Sequence, residues 1–187
     1  PLRMRAVITG VSGFSAWHLA RRLRRGESAW ILGLDAVAPA RSVPVDQLAV
    51  LDICDKCQVE ETLRKARPDF VFHLAGMQRG DAAAMMETNT VGTLRVLEAL
   101  RAAAPEARCL VIGSAAEYGH VPPERLPIIE DEPARPCGAY GASKLAATLL
   151  ALEHAKAYGL RVTVARPFNL VGAGIPPTLV VGALVRR

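Results

Sequence analysis

The chain has 187 residues, is 51% apolar and carries a formal net charge of +5. That length and apolar content allow one domain with a sizeable core and exclude a largely disordered protein. No apolar run reaches the roughly 18 residues that a membrane-spanning helix needs, and aromatic residues are not interleaved with the basic ones as on many nucleic-acid-binding surfaces. We therefore expect neither a membrane nor a nucleic-acid partner.

Short apolar runs alternate with longer helical patterns, and this alternation predicts an α/β fold with a doubly wound parallel sheet. The predicted strands are Arg5–Thr9, Ala29–Leu34, Leu48–Leu51, Phe70–Leu74, Arg108–Gly113 and Arg161–Ala165. The predicted helices are Phe14–Arg25, Lys56–Ala66, Asp81–Ala104, Ala139–Tyr158 and a last segment from Pro176 to Arg187. Ligands of such folds bind at the carboxyl edge of the sheet, and the long, proline-rich loop Gly119–Gly138 is expected to shape a site.

A glycine-rich turn joins the first predicted strand to the first predicted helix. Gly10 permits the tight turn, Gly13 lets the backbone approach a pyrophosphate, and Ala16 at the third glycine position still allows close helix packing. The N–H groups at the start of the helix suit phosphate. A plain turn is the alternative, but the strand–turn–helix context favours a dinucleotide. The residues predicted to bind it here are Gly10, Ser12, Gly13 and Phe14.

Asp35 follows the second predicted strand directly. A carboxylate there accepts hydrogen bonds from the adenosine ribose and repels a 2′-phosphate, which favours NAD over NADP. An exposed turn aspartate is the alternative, because the spacing from Gly10 is longer than the usual value of about 20 residues. Asp52 and Ile53 follow the third strand, where the adenine edge would lie.

A second candidate site combines Ser114, after the fifth strand, with Tyr140 and Lys144. The last two are four residues apart and so share one helix face. A phenol with a pKa of about 10 is a poor acid–base group at neutral pH, but a neighbouring lysine and an oxidised nicotinamide would stabilise its phenolate. Ser114 can hold a substrate oxygen. A surface pair is the alternative for Tyr140 and Lys144 alone; the dinucleotide turn and the strand-end serine favour a catalytic triad.

In this order, these residues resemble the extended short-chain dehydrogenase/reductase family, the NAD-dependent epimerases and dehydratases. The matching stretches are Thr9–Phe14, Asp35, Asp52–Ile53, His73–Gly76, Asn89–Thr93, Ser114, Tyr118–Gly119, Tyr140–Lys144 and Arg166–Asn169. The resemblance implies a Rossmann fold, NAD as the cofactor, to which Tyr140 and Lys144 also bind, and a nucleotide sugar as the substrate.

The resemblance also implies individual roles along the sheet edge. Leu74, Ala75 and Gly76 would pass beside the cofactor, and Asn89 would steady the central helix against the fourth strand. Pro167 and Phe168 would lie near the nicotinamide, while Asn169 would face the sugar diphosphate. The list of substrate-binding residues is then Ser114, Glu117 and Asn169.

Within the family, the stretches around Ser114 and Arg166 are most similar to 4-keto-6-deoxy sugar-nucleotide reductases. Dehydratases usually carry acidic residues after the catalytic hydroxyl, where this chain has Ala115 and Ala116. Glu117 resembles the reductase form, although an ordinary exposed loop glutamate is equally consistent. A sugar-nucleotide 4-epimerase is the nearest alternative. A non-catalytic NAD-sensing or RNA-associated protein is the alternative from another class, and the intact triad argues against it.

We interpret residues 1–187 as one NAD-binding domain, with residues 167–187 beginning the substrate-binding part. Family members normally continue for about a hundred further residues, so we expect the C-terminal substrate domain to be missing. The helices at 81–104 and 139–158 carry runs of Ala and Leu that let helices pack closely across a two-fold axis, which predicts a homodimer.

The four cysteines are interpreted as reduced thiols. Cys54 and Cys57 form a lone C-x-x-C with no second pair at zinc spacing, and structural zinc takes four ligands. We therefore expect no metal site. The start of the sequence lacks the ordered charged, apolar and small-residue regions of a secretory signal, so the expected location is the cytoplasm.

Overall fold

All six predicted strands form, and they lie in one parallel sheet. The structure is a computed structural model that describes residues 3–25, 29–177 and 180–185. The strands are β1 Met4–Thr9, β2 Ala29–Asp35, β3 Gln47–Val50, β4 Phe70–His73, β5 Arg108–Ile112 and β6 Arg161–Ala165. Their order is β3-β2-β1-β4-β5-β6, so the direction of winding reverses between β1 and β4. A ligand crevice opens at such a reversal, beyond the carboxyl ends of the strands.

Helices cover the sheet on both faces. They are α1 Phe14–Arg24, α2 Lys56–Ala66, α3 Ala82–Met86, α4 Gly92–Ala103, α5 Gly138–Tyr158 and α6 Val180–Val185. Alternate residues of β1 face opposite ways: Val7 belongs to the core shared with α2 and α4, and Ile8 to the core shared with α1. The predicted doubly wound Rossmann fold is thus confirmed.

One predicted helix, Asp81–Ala104, is interrupted. Asp81 caps it, accepting a hydrogen bond from the Ala84 amide at 2.7 Å. Between α3 and α4, residues Glu87–Val91 form a π-turn, which accommodates one extra residue in the helix. The insertion has a tertiary cause, because it turns Asn89 fully into the interior. Such π-turns often mark functional sites.

Other boundaries differ from the predictions by about one residue. β4 and β5 end at His73 and Ile112, one residue early, because the chain leaves the sheet there to form the crevice. At the carboxyl end, the predicted segment from Pro176 is helical only over α6, and positions 178–179 and 186–187 lie outside the described residues. Within the described ranges, no helix combines the length and apolarity needed to cross a membrane.

Candidate functional site

The glycine-rich turn between β1 and α1 fits closely against the segment that follows β4. Gly10 has φ +67°, and a Cβ added there would lie 2.7 Å from the Cα of Ala75. Gly13 donates to the Gly10 carbonyl at 3.0 Å and begins α1 without a side-chain cap. The first N–H groups of α1 therefore point out of the turn without side-chain partners, as in an anion-binding helix start.

Asp35 and Ser12 join the end of β2 to this turn. The Ser12 amide donates to the Asp35 carboxylate at 2.9 Å, which brings the predicted ribose-binding residue to the glycine-rich turn. The Ser12 hydroxyl oxygen is buried and has no hydrogen-bond partner within the described residues. Because a buried hydroxyl without a partner is unfavourable, a ligand oxygen at this position would satisfy it. The turn thus fits a dinucleotide.

Sequence reasoning missed one glycine that shapes this turn. A Cβ on Gly33, inside β2, would come within 2.9 Å of both Val11 methyl groups. Val11 is fully buried and lies at the centre of the turn. Gly33 therefore lets the turn pack directly on β2, and its position two residues before Asp35 was the signal available in the sequence.

The segment Leu74–Gly76 connects the glycine-rich turn to the predicted catalytic lysine. The Ala75 amide donates to the Thr9 hydroxyl at 3.1 Å. A Cβ on Gly76 would lie 3.6 Å from Lys144 Nζ. Both predicted groups of residues, cofactor-binding and catalytic, consequently meet at one edge of the sheet.

An ordered chain of hydrogen bonds holds this edge together around His73. Thr93 donates to the Asn89 carbonyl at 2.6 Å, so its oxygen accepts from His73 Nε2 at 2.9 Å. A neutral imidazole with its proton on Nε2 has an acceptor at Nδ1, so the Thr9 hydroxyl, which accepts from Ala75, donates its own proton to His73 Nδ1 at 2.8 Å. Burial, reinforced by the charge of Lys144, lowers the pKa of His73 to about 3. His73 is thus a neutral structural bridge.

Asn89 joins the π-turn to the helix that carries Tyr140. Its side-chain oxygen accepts from the Met77 amide at 2.7 Å, and its nitrogen donates to the Met77 carbonyl at 2.8 Å and to Ser143 Oγ at 2.9 Å. Ser143 in turn donates to the Tyr140 carbonyl at 2.8 Å. Every polar atom of the Asn89 amide is therefore used in fixing the site.

The predicted triad residues come from two elements that are in direct contact. Ser114 follows β5 and caps a short 3₁₀ turn, Ala115–Glu117. A Cβ on Gly141 would lie 2.6 Å from the Ala116 carbonyl oxygen. The turn that begins with Ser114 thus packs on the first turn of α5, beside Tyr140. Only glycine at position 141 permits this approach, a requirement that the sequence analysis missed.

Lys144 is buried, with 6% of its surface exposed. Its ammonium makes no hydrogen bond to the part of the chain that the structure describes. Burial lowers the pKa of Lys144 to about 8, and the charge of Glu117 opposes this shift. A charge held with so little contact with water is costly without a partner, so a ligand hydroxyl near Gly76 would stabilise the Lys144 ammonium.

Glu117 is fully buried, which corrects its predicted contact with the substrate and equally excludes an ordinary exposed glutamate. One carboxylate oxygen accepts from the Ser114 amide at 2.8 Å and the Thr148 hydroxyl at 3.0 Å. The other forms an ion pair with Arg166 at 2.9 Å. With both oxygens engaged and no exposed surface, the side chain has no access to a substrate.

The remaining predicted residues lie around the same edge. Asp52 is exposed after β3, whereas the Ile53 side chain is buried against Gly92 and leaves only its backbone for a ligand. The Pro167 carbonyl accepts from the Ala115 amide at 3.0 Å, which places it beside the Ser114 turn. Asn169 is exposed. Phe14 is half-buried at the start of α1.

Comparison with known proteins identifies relatives with this arrangement. The family model of the NAD dependent epimerase/dehydratase family matches residues 6–187. The GDP-6-deoxy-D-mannose reductase of Pseudomonas aeruginosa is 33% identical over 191 residues, covering 100% of this chain and 59% of the relative. Other curated relatives include UDP-glucose 4-epimerases and a dTDP-glucose 4,6-dehydratase.

The chain is also similar to solved structures of such proteins. UDP-glucose 4-epimerase from Brucella ovis in complex with NAD is 31% identical, with a TM-score of 0.83, over 92% of this chain and 54% of that one. RMD from Pseudomonas aeruginosa complexed with NADPH is 34% identical, with a TM-score of 0.80, over 98% and 60%. The chain thus spans a little over half the length of these relatives.

Proposed function

The chain belongs to the NAD-dependent epimerase/dehydratase family, and we propose that it is the cofactor-binding part of a reductase that acts on a 4-keto-6-deoxy nucleotide sugar. The observation that carries this proposal is the packing of the Ser114 turn onto α5 at Gly141. That contact joins the turn that Ser114 caps to the helix of Tyr140 and Lys144, at the edge that also carries the glycine-rich turn, and it supports a common site for the three residues.

Each member of the triad has a distinct task in the proposed reaction. The glycine-rich turn and Lys144 would hold a reduced nicotinamide cofactor, which would supply hydride for the C4 carbonyl of the sugar. Tyr140 donates the proton that the resulting oxygen needs, and the Lys144 ammonium would bind the nicotinamide ribose. Ser114 Oγ accepts from the Ala116 amide at 3.1 Å, so its own proton is free to donate to the substrate oxygen and share the developing charge.

Two observations favour reduction over the other reactions of the family. Ala115 and Ala116 supply no acid or base for eliminating water, which disfavours a dehydratase. The reductase relative from Pseudomonas aeruginosa matches the whole chain. The second candidate is a 4-epimerase, supported by the UDP-glucose 4-epimerase of Corynebacterium glutamicum, 33% identical over 91% of this chain.

A substrate screen of the natural full-length protein distinguishes these functions. A GDP-linked 4-keto-6-deoxy sugar is incubated with NADH, and loss of NADH absorbance is followed. The proposal expects NADH to be consumed in proportion to the sugar reduced. Interconversion of UDP-glucose and UDP-galactose without net NADH consumption would instead establish the epimerase.

We also propose that residues 167–187 begin the substrate-binding part. Phe168 and Val171 are about 60% exposed after β6, and exposed apolar residues so close together are typical of a surface that another part of a protein covers. Asn169, between them, is also exposed and is the proposed partner of the sugar diphosphate.

We predict that the protein binds NAD more tightly than NADP. The Asp35 carboxylate, already held at the glycine-rich turn by the Ser12 amide, would repel the 2′-phosphate of NADP. Calorimetry with both cofactors measures the preference. Asp35→Asn keeps the shape of the side chain but removes its charge, so the difference between the affinities for NAD and NADP should be smaller in this variant. Equal or reversed affinities in the unmodified protein would contradict the prediction.

We predict a homodimer formed through α3, α4 and α5. Leu149 and Leu152 lie three residues apart on α5 and are 55% and 46% exposed, so they offer one apolar face to a second copy. Light scattering at micromolar concentration should give twice the monomer mass. Leu149→Glu should dissociate the dimer, whereas Leu48→Glu, an exposed site on the far strand β3, should not. A monomeric unmodified protein would refute the interface.

A further inference from the structure

Glu117 lies in the protein interior, where an ionised carboxylate is destabilising unless other groups compensate its charge. Its side chain is fully buried, and moving an ionised carboxylate out of water is costly without compensating partners. Three donors compensate it: the Ser114 amide, the Thr148 hydroxyl and the Arg166 guanidinium, all within 3.0 Å. These partners come from three different parts of the chain, so Glu117 joins the turn after β5, helix α5 and the end of β6.

The first of these bonds fixes the backbone of Ser114. Glu117 and Ser114 form a reciprocal capping box, in which the Ser114 hydroxyl accepts from the 3₁₀ turn and the Glu117 carboxylate accepts from the Ser114 amide. The lack of a side chain at Gly113 makes room for this carboxylate, because a Cβ there would lie 2.4 Å from Glu117 Oε1. The position of the Ser114 hydroxyl therefore depends on the Glu117 carboxylate.

The second consequence is electrostatic. Lys144 lies one turn before Thr148 on α5, and both are buried. The Thr148 hydroxyl donates to Glu117 at 3.0 Å, so Glu117 contacts the helix face that carries Lys144. The negative charge of Glu117 favours the ammonium form against the effect of burial. His73, on β4, also faces Lys144 but is neutral, and Tyr140 lies on the same helix face. Arg166 pairs with Glu117 and also donates to the Tyr118 hydroxyl at 3.2 Å. Glu117 is thus the carboxylate of the described residues that bears on both Lys144 and Ser114.

We propose that Glu117 is a positioning residue, whose buried carboxylate holds Ser114 in place and stabilises the positive charge of Lys144. It touches neither substrate nor cofactor and acts through those two residues. The catalytic part of this inference rests on the proposed reductase function, but the effect on the Lys144 charge does not.

The test begins with a readout that needs no turnover. Lysine carrying ¹³C at Cε is incorporated into the natural full-length protein, and the Lys144 resonance, assigned with Lys144→Arg, is titrated against pH. Glu117→Gln should lower the Lys144 midpoint by about one pH unit, the order of a buried opposite charge. Thr148→Val removes one hydrogen bond from Glu117 but leaves the charge of Glu117 in place. The Lys144 midpoint in this variant should therefore match that of the unmodified protein.

Activity measurements separate the two tasks. The alkaline limb of the pH profile of kcat/KM should move to lower pH in Glu117→Gln, because the Lys144 ammonium, which raises activity, is deprotonated at a lower pH. Glu117→Asp keeps the charge but does not reach the Ser114 amide, so its alkaline limb should stay in place while kcat falls about tenfold or more. Cofactor affinity at neutral pH should change much less than kcat in Glu117→Asp.

A double variant, Glu117→Leu with Arg166→Met, covers the case in which Glu117→Gln fails to fold, since replacing both members of a buried pair by apolar residues is often tolerated. Its Lys144 midpoint should also fall. Unchanged midpoints in both charge-removing variants would overturn the inference and leave Glu117 a purely structural residue. If the unmodified protein reduces no 4-keto sugar while the midpoints shift as expected, the reductase proposal fails and the electrostatic role stands.

Discussion

Replacing Tyr140 by phenylalanine is expected to lower kcat by about 10²–10⁴-fold, the usual loss when a positioned acid is removed. The phenylalanine ring keeps the packing of the half-buried tyrosine on α5, but it cannot donate the proton that the C4 oxygen needs. Cofactor affinity should change little, because the proposed contacts to the dinucleotide come mainly from the glycine-rich turn and Lys144. Steady-state kinetics with the 4-keto substrate, together with NADH titration, measure both quantities.

Tyr158→Phe provides the matched control. Tyr158 ends the same helix, is 52% exposed and lies away from the Ser114 turn. The same chemical change there should leave kcat near the value of the unmodified protein. Near-normal turnover in Tyr140→Phe, or an equal loss in both variants, would remove Tyr140 from its proposed role.

Gly10→Ala is expected to abolish tight cofactor binding and to destabilise the fold. Gly10 has φ +67°, and its Cβ would lie 2.7 Å from the Ala75 Cα and 2.8 Å from the Ala75 amide nitrogen. Both neighbours are backbone atoms, so the turn or the segment after β4 must move. A shift that makes the binding free energy of the cofactor 1.4 kcal/mol less favourable lowers its affinity about tenfold. We expect at least a tenfold loss of affinity. Calorimetry and thermal unfolding are the measurements.

Gly159→Ala separates the clash from the backbone strain. Gly159 has φ +69°, almost the same conformation, and a Cβ added there meets nothing within 4 Å. The left-handed conformation alone costs about 1–2 kcal/mol, which lowers Tm by roughly 2–8 °C in a domain of this size. Gly10→Ala should lower Tm by more than this amount. Gly159→Ala should leave the cofactor affinity unchanged. Equal behaviour of the two variants would show that the contact with Ala75 is unimportant.

The sequence predicted the fold well where the deciding interactions are local. Each strand is a short apolar run, and the helix of Tyr140 and Lys144 ends at Gly159, in the left-handed conformation that glycine often adopts after a helix. The glycine-rich turn could be predicted because its glycines, strand and helix are contiguous. The spacing of four residues likewise placed Tyr140 and Lys144 on one face.

What could not be predicted depends on partners distant in the sequence. The π-turn at Glu87–Val91 exists because Asn89 reaches Met77 and Ser143, 12 and 54 residues away, and no helical periodicity contains that information. Glu117 was expected either to bind the substrate or to be an exposed loop residue, because charged residues are rarely buried. Its counter-ion Arg166 lies 49 residues further on. Only the fold brings β5 and β6 side by side and makes a buried ion pair there.

The most direct test of the proposed reaction follows the hydride itself. The natural full-length protein is supplied with NADH deuterated at the transferring position of the nicotinamide and with a GDP-linked 4-keto-6-deoxy sugar. The proposed function predicts one NADH consumed for each sugar reduced, with deuterium at C4 of the product, and loss of both signals in Tyr140→Phe. Recovery of the 4-keto sugar unreduced, with no deuterium at C4 and no NADH consumption, would contradict it.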